Sequence, residues 1–489
     1  MVVRTCQADA GVEAQVESLL LARKEVEVGL LIGRLGNGSK DLALALVRSP
    51  NNGGEAPARC TGVAPAGGSK SRKGGGKASL AIQVSIDLDD EWVVEHARQV
   101  RRMLLGGIRV IGVYLFGPES GFNQASKELA SVAVECVEVG LGCDDTARNN
   151  NGREALLMHA DSGSRRISMK VASADGALQP ADLKFMPLLD NFVPLTCSYE
   201  VELSIPATSP AAKSVATLFE KMAAAEGGRM MCGEGMLSSG GRLPTADTPV
   251  IELLPGKGQG PSSSALQVEL LCALPQSAPT HGALVGALNG RAQGLAKIKG
   301  CMHGRAYVHK RDTWSSAVDA LKADLADTLQ ARLEMMLELE EEDCGDDNDG
   351  RPEMMSAEGL KKHFFRALPR RVGLPWVGGI MACDYLSPGD STDDAASHGS
   401  MLLGLEGDVA VDESWEKVNE TRATDGGVWV PSIRSHLTSD HNDVDVTDDD
   451  GMTRGKSAST ATGFPCSMPI LMGLAAASGL AMAFLVTSM

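Results

Sequence analysis

A chain of 489 residues exceeds one ordinary domain, and its 43% apolar composition supplies a sizeable core, while 55 glycines and only 4% aromatic residues mark stretches that add little to it. A formal charge of −17 excludes sequence-independent binding to nucleic acid, which needs a basic face to displace counterions. Eleven cysteines, an odd number with no C-x-x-C pair, argue against a disulfide framework and for a reducing compartment.

The first element is a helix in GVEAQVESLLLARKEV, where Val12, Val16, Leu19 and Leu20 fall at helical spacing. Residues 25–50, EVEVGLLIGRLGNGSKDLALALVRSP, are two apolar strands around the turn GNGSKD, a β-hairpin. A Gly/Ala/Ser-rich flexible insertion follows at 51–80. In DLDDEWVVEHARQVRRMLLGG (87–107), Val93, Ala97, Val100 and Leu104 share one helix face. Asp89, Asp90 and Glu91 sit at its positive end, Arg98, Arg101 and Arg102 at its negative end, and Gly106 is placed to supply a left-handed stop.

The strand IRVIGVYLF follows at once, and further strands are predicted at 155–161, 165–173 and 195–206, which together make a mixed sheet with helices. Residues 207–263 are a Gly/Ser/Pro-rich linker. Order resumes with strands at 265–275 and 294–310 and a long helix whose stripe of Val318, Leu321, Leu325, Leu329 and Leu333 is core. A last strand pair spans 370–386, and 387–463 is acidic and polar, a disordered tether. The acidic runs at 340–350 and 443–451 are solvated linkers.

From Met468 to Val486 the chain is uncharged and apolar for 19 residues. At 1.5 Å per residue that reaches about 28 Å, the thickness of a hydrocarbon core. With only TSM after it, the segment 464–487 is expected to be a tail anchor seated in the lipid bilayer through Met468, Leu471, Leu474, Leu480, Phe484 and Val486. Arg454 and Lys456 upstream agree with a cytosolic body, and the amino terminus lacks the apolar core of a signal peptide.

Intact catalytic signatures are missing. The only G-K-S, Gly455 to Ser457, has Asp450 where a phosphate loop needs glycine, and GKGQG (256–260) has no apolar helix behind it. The sequence contains no H-E-x-x-H and no G-x-S-x-G. Cys301 and His303 share a strand face, but His309 need not approach them, so packing is the stronger reading than a metal. No cofactor is expected.

One degenerate pattern is present. The segment from Gly112 to Pro118 resembles the G-x-x-H-S-H-P frame of MPN metalloproteases, in which two histidines and an aspartate hold zinc and a glutamate moves the proton. Here Leu115 and Gly117 take the histidine positions, Glu128 the aspartate position and Val26 the base position. Hairpin, helix and strand come in the order of that fold, and its chemistry is lost.

A longer resemblance covers most of the ordered chain. GLLIGRLGNGSKDLALALVRSP, DLDDEWVVEHARQVRRMLLGGIRVIGVYLF, QPADLKF, GRAYVHKRDTWSSAVDALKADLADTLQARLEMM and LPRRVGLPWVGGIMACDY, in the family's order along the chain, resemble the odorant response abnormal 4 proteins. The resemblance implies an endoplasmic reticulum membrane protein facing the cytosol. It implies assistance to multipass membrane receptors, and a hold on the cysteine protease of the ubiquitin-fold modifier at that membrane.

The expected fold class is mixed α/β: an MPN-like, catalytically dead domain at 1–206, and a second α/β portion at 264–386 packing with it. A C-terminal single transmembrane helix completes the chain. The expected role is a non-enzymatic adaptor without nucleic-acid partners. The alternative is a membrane-anchored hydrolase with an unrecognised nucleophile such as a cysteine.

Overall fold

The computed structural model describes residues 4–22, 24–36, 40–63, 83–141, 154–207, 224–238, 243–254, 265–272, 294–343, 368–387, 389–417 and 422–425, all within one compact unit, Met1–Ser432. Strand β1 (Thr5–Asp9) runs directly into helix α1 (Ala10–Leu21). Asp9 makes the switch: its carboxylate caps the helix by accepting from Gly11 N at 2.8 Å, and accepts from Leu188 N at 2.7 Å as well.

The predicted hairpin is β2 (Glu27–Arg34) and β3 (Lys40–Arg48), paired antiparallel. Helix α2 (Asp90–Met103) starts on the Asp89 cap and ends with Arg101 and Arg102 in its last turn, as the charge pattern requires. The left-handed residue after it is Gly107, at φ +83°. Gly106 serves close approach instead, since a Cβ there would stand 2.3 Å from the Ala320 carbonyl oxygen.

Strand β6 (Arg109–Gly117) follows α2, then helix α3 (Glu119–Val139), which the sequence reading did not anticipate. Strands β7 (Glu154–Asp161), β8 (Ile167–Ser173) and β9 (Leu178–Met186) complete a closed barrel in the order β1-β3-β2-β6-β7-β8-β9, with β9 paired back to β1. Strand alternation divides its side chains. Val28, Leu30, Val113 and Leu115 join the core under α2 and α3, whereas Leu31, Tyr114, Phe116 and Met158 form a second cluster with Val12 and Val16 of α1. Each Leu buried this way contributes about 2 kcal/mol.

Part of the predicted flexible insertion is ordered. Strand β4 (Ala58–Val63) pairs with β5 (Gln83–Leu88), and that two-stranded ribbon packs on the barrel helices.

Strand β10 (Phe192–Ala207), expected in the first portion, is the centre of the other sheet. It pairs with β13 (Gly294–His309) over its whole length, and the full order is β11-β12-β10-β13-β16, with β11 Glu234–Leu237, β12 Leu266–Leu271 and β16 Arg422–Asp425. Helix α4 (Trp314–Asp343) lays the predicted stripe of Val318, Leu321, Leu325, Leu329 and Leu333 on Leu195, Cys197, Met302 and Val308. Within 207–263, residues 224–231 are helical and β11 is a strand, so the linker expectation gives way there.

The last pair, β14 (Arg370–Val377) and β15 (Ile380–Leu386), is present as predicted. The tether expectation changes at its start: helix α5 (Thr392–Leu403) has an Ser391/Asp394 capping box, and Trp415 is buried in the core. Among the described residues no helix is long and apolar enough to cross a membrane. The predicted anchor, 464–487, lies outside them, as do the glycine runs at 256–260 and 455–457 and the acidic run at 443–451.

Candidate functional site

The structure brings three of the four positions of the degenerate metal frame together. Register pairs Glu27 with Phe116 and Val28 with Leu115, so Val26 falls opposite Gly117. A Cβ built on Gly117 would stand 3.3 Å from Val26 Cγ2 and 3.6 Å from Ile86 Cδ1. Leu115 is fully buried in the α2/α3 core. The base position and both histidine positions are therefore adjacent, and they carry hydrocarbon or nothing.

Ile86 of β5 closes the place over them. A Cβ on Gly121 in the first turn of α3 would lie only 2.7 Å from Ile86 Cγ1, so that glycine exists to let β5 approach. Glu128, the fourth position, is not brought in. It is exposed on α3 beside Asp87 and Asp90, where partial burial first and those two charges second push its carboxyl above the ordinary value. The zinc of the MPN frame does not fit these residues, because no lone pair converges on one point. Among the described residues no group of three His, Cys, Asp or Glu is placed to hold a metal ion.

Two polar residues next to the frame were not singled out from the sequence. Parallel pairing of β6 with β7 sets Leu115 beside His159 and Gly117 beside Asp161. His159 Nε2 donates to the Gly117 carbonyl at 3.1 Å, and its ring stacks on Phe122 at 4.1 Å. Burial, with Lys170 adding to it, holds this imidazole below its ordinary value and neutral at pH 7. Burial opposes ionisation of Asp161, but hydrogen bonds from Ser164, Gly163 and the Glu119 amide outweigh it and hold the carboxyl below the usual range. That carboxylate caps α3 by accepting from Glu119 N at 3.0 Å. Their neighbourhood became visible only through the strand register, since the two segments are remote in sequence.

A second concentration of polar groups lies where α4, β13, β14 and the segment after α5 meet. Asp324 accepts from Arg371 Nη1 and Nη2 at 2.7 and 2.8 Å, from Arg305 N at 2.7 Å and from Gly106 N at 3.0 Å. Glu416 accepts from Arg332 Nη2 at 2.6 and 2.7 Å, from Arg371 N at 2.8 Å and from His303 N at 3.2 Å. Both carboxylates are saturated, so these groups hold the chain together and leave no lone pair for a ligand. A cleft of about 250 Å³ beside them is rimmed by Arg101–Asp327 and Arg102–Glu334 pairs at 3.0 and 3.2 Å, with both signs of charge interleaved.

The four buried cysteines among the described residues do not favour a thiolate. Burial pushes Cys6 and Cys197 up to about 12, Cys383 to about 11 and Cys136 higher still. Such thiols are protonated at neutral pH and poor nucleophiles. Cys301 and His303 lie on one face of β13 as expected, with His303 Nδ1 3.0 Å from Ser198 Oγ, while His309 packs edge-on to Phe192 at the far end of the strand.

A family model described as odorant response abnormal 4-like matches residues 29–414. The chain is similar to a protein from Xenopus tropicalis named odr-4 homolog, at 24% identity over 81% of this chain and 82% of that one. Proteins of the same name are similar in Homo sapiens, at 25% identity over 65% and 69% of the two chains, and in Dictyostelium discoideum, at 22% over 76% and 74%. Among solved structures, the crystal structure of UfSP from C. elegans aligns at 8% identity with a TM-score of 0.37, covering 82% of this chain and 56% of that one. That score is too low to carry a conclusion about fold.

Proposed function

The chain belongs to the odorant response abnormal 4-like family, and from that premise we propose that it is a non-catalytic, tail-anchored adaptor of the endoplasmic reticulum membrane. Its body faces the cytosol, assists multipass membrane proteins, and holds the ubiquitin-fold modifier's cysteine protease at the bilayer. The observation that carries the non-catalytic part is the meeting of Val26 and Gly117 under Ile86. Val26, Leu115 and Gly117 carry apolar side chains or none, and Glu128 stands apart from them, which supports a body without zinc chemistry. The anchoring part rests on the uncharged run Met468 to Val486, and the partner on the family resemblance.

Affinity capture of the full-length chain from detergent-solubilised membranes tests the reading. The protease is expected in the eluate, surviving washes that remove bulk reticulum proteins. A chain recovered with its multipass clients and without the protease would remove the recruiting part. A purified chain that cleaves a modifier-linked substrate by itself, and loses that activity on one cysteine substitution, would favour the hydrolase.

A further inference from the structure

The pairing of β11 with β12 sets Glu234 opposite Leu271, and the same register carries Gly233 opposite Cys272. A Cβ built on Gly233 would stand 2.9 Å from Cys272 Sγ, so the thiol lies directly against the backbone that follows Cys232. Both thiols are free; Cys232 is exposed and Cys272 half-buried. Cys232 is near enough for its charge to bear on the ionisation of Cys272.

The surroundings are polar. Arg229 and Lys322 face Cys272 with positive charge, and Glu226 with negative charge. Arg229 also lies over the ring of Tyr199, at 5.5 Å, and Lys322 Nζ donates to the Met231 carbonyl at 3.1 Å. The Cys232 end of the 224–231 helix is thus already fastened to α4, and Cys272 directly follows the neighbouring strand. No role in the barrel frame or the buried ion pairs involves either thiol.

We infer that Cys232 and Cys272 are a redox modification site, joined into one disulfide by a peroxide and reopened by a thiol reductant. The exposed Cys232 sulfur attacks one peroxide oxygen, the O–O bond breaks, and a sulfenic acid forms as water leaves. Cys272 sulfur then attacks the Cys232 sulfur, the S–O bond breaks, and a second water departs. Two electrons pass from the two thiols to the peroxide. The bond pins the 224–231 helix to the end of β12, fixing the Tyr199, Glu226 and Arg229 cluster.

Purified full-length protein, reduced and then freed of reductant, is treated with hydrogen peroxide, blocked with iodoacetamide while folded, and digested without reductant. Mass spectrometry is expected to show the Cys232 peptide joined to the Cys272 peptide, lighter than their sum by two hydrogen atoms and separated by dithiothreitol. In Cys272→Ser the link is lost and Cys232 stops at the sulfenic acid, trapped by dimedone. Three wild-type results would overturn the inference: a dimedone adduct at Cys232 with no link, a link from Cys232 to another cysteine, or both thiols alkylated intact.

Discussion

Arg332 and Glu416, 84 positions apart, close a buried ion pair in which one guanidinium nitrogen reaches both carboxylate oxygens, at 2.6 and 2.7 Å. The same carboxylate takes the backbone amides of His303 and Arg371, so one side chain from the segment after α5 ties together α4, β13 and β14.

Removing that partner strands the arginine. Glu416→Ala leaves a buried charge and two amide donors unmatched, and is expected to cost about 3–5 kcal/mol. Chemical denaturation of the full-length protein reads this directly; a loss below about 1 kcal/mol contradicts it. Replacing both partners, Arg332→Met with Glu416→Leu, removes the stranded charge and should recover part of the loss, the amides of His303 and Arg371 staying unmatched.

His96 makes stability depend on pH. It is buried on α2, 3.1 Å from Ser49 Oγ through Nδ1 and 2.9 Å from the Leu402 carbonyl through Nε2, and burial lowers it from 6.5 to about 4. Between those values the unfolded chain binds the extra proton and the folded chain does not, so stability rises with pH. Its contribution, about 3 kcal/mol, is complete above the unfolded value and is lost as pH falls from 6.5 towards 4. Urea midpoints should drop over that window in wild type and drop less in His96→Gln; parallel profiles would show that His96 is not the group responsible.

Refilling the metal frame should fail. Val26→Glu, Leu115→His, Gly117→His and Glu128→Asp together restore the ligand types, but Ile86 occupies the space over Gly117 and Glu128 faces Asp87 and Asp90. Elemental analysis of the purified variant is expected to find no stoichiometric zinc, with stability lowered by the imidazole forced into the Leu115 pocket. One zinc per chain would mean that β5 yields easily and the frame is open.

The sequons Asn37-Gly-Ser and Asn419-Glu-Thr report topology. Both asparagines lie outside the described residues. With the body in the cytosol neither meets the glycosylation machinery, and the protein from membranes should keep its mobility after glycosidase treatment. A shift would place the body in the lumen.

Much of the fold was legible where a single element carries its own signals. Charged ends and a four-residue apolar face announced α2, alternation around GNGSKD announced β2 and β3, and the stripe from Val318 to Leu333 announced α4. What depends on remote partners was hidden. β10 reads as one more strand until β13, about a hundred residues later, claims it, and Glu416 reads as one more acid in a polar stretch until Arg332 buries it. The frame positions Val26, Leu115 and Gly117 were found because their spacing is local. Ile86, His159 and Asp161 were missed because only the strand register and the β4–β5 ribbon bring them there.

The adaptor role turns on where the protease resides, and its membrane-bound fraction is the most direct measurement. In cells lacking this chain, the protease should move from the reticulum membrane fraction into the soluble fraction. Full-length chain should return it, and a chain without residues 464–487 should not. A protease distribution that stays unchanged when the chain is removed would contradict the proposed recruitment.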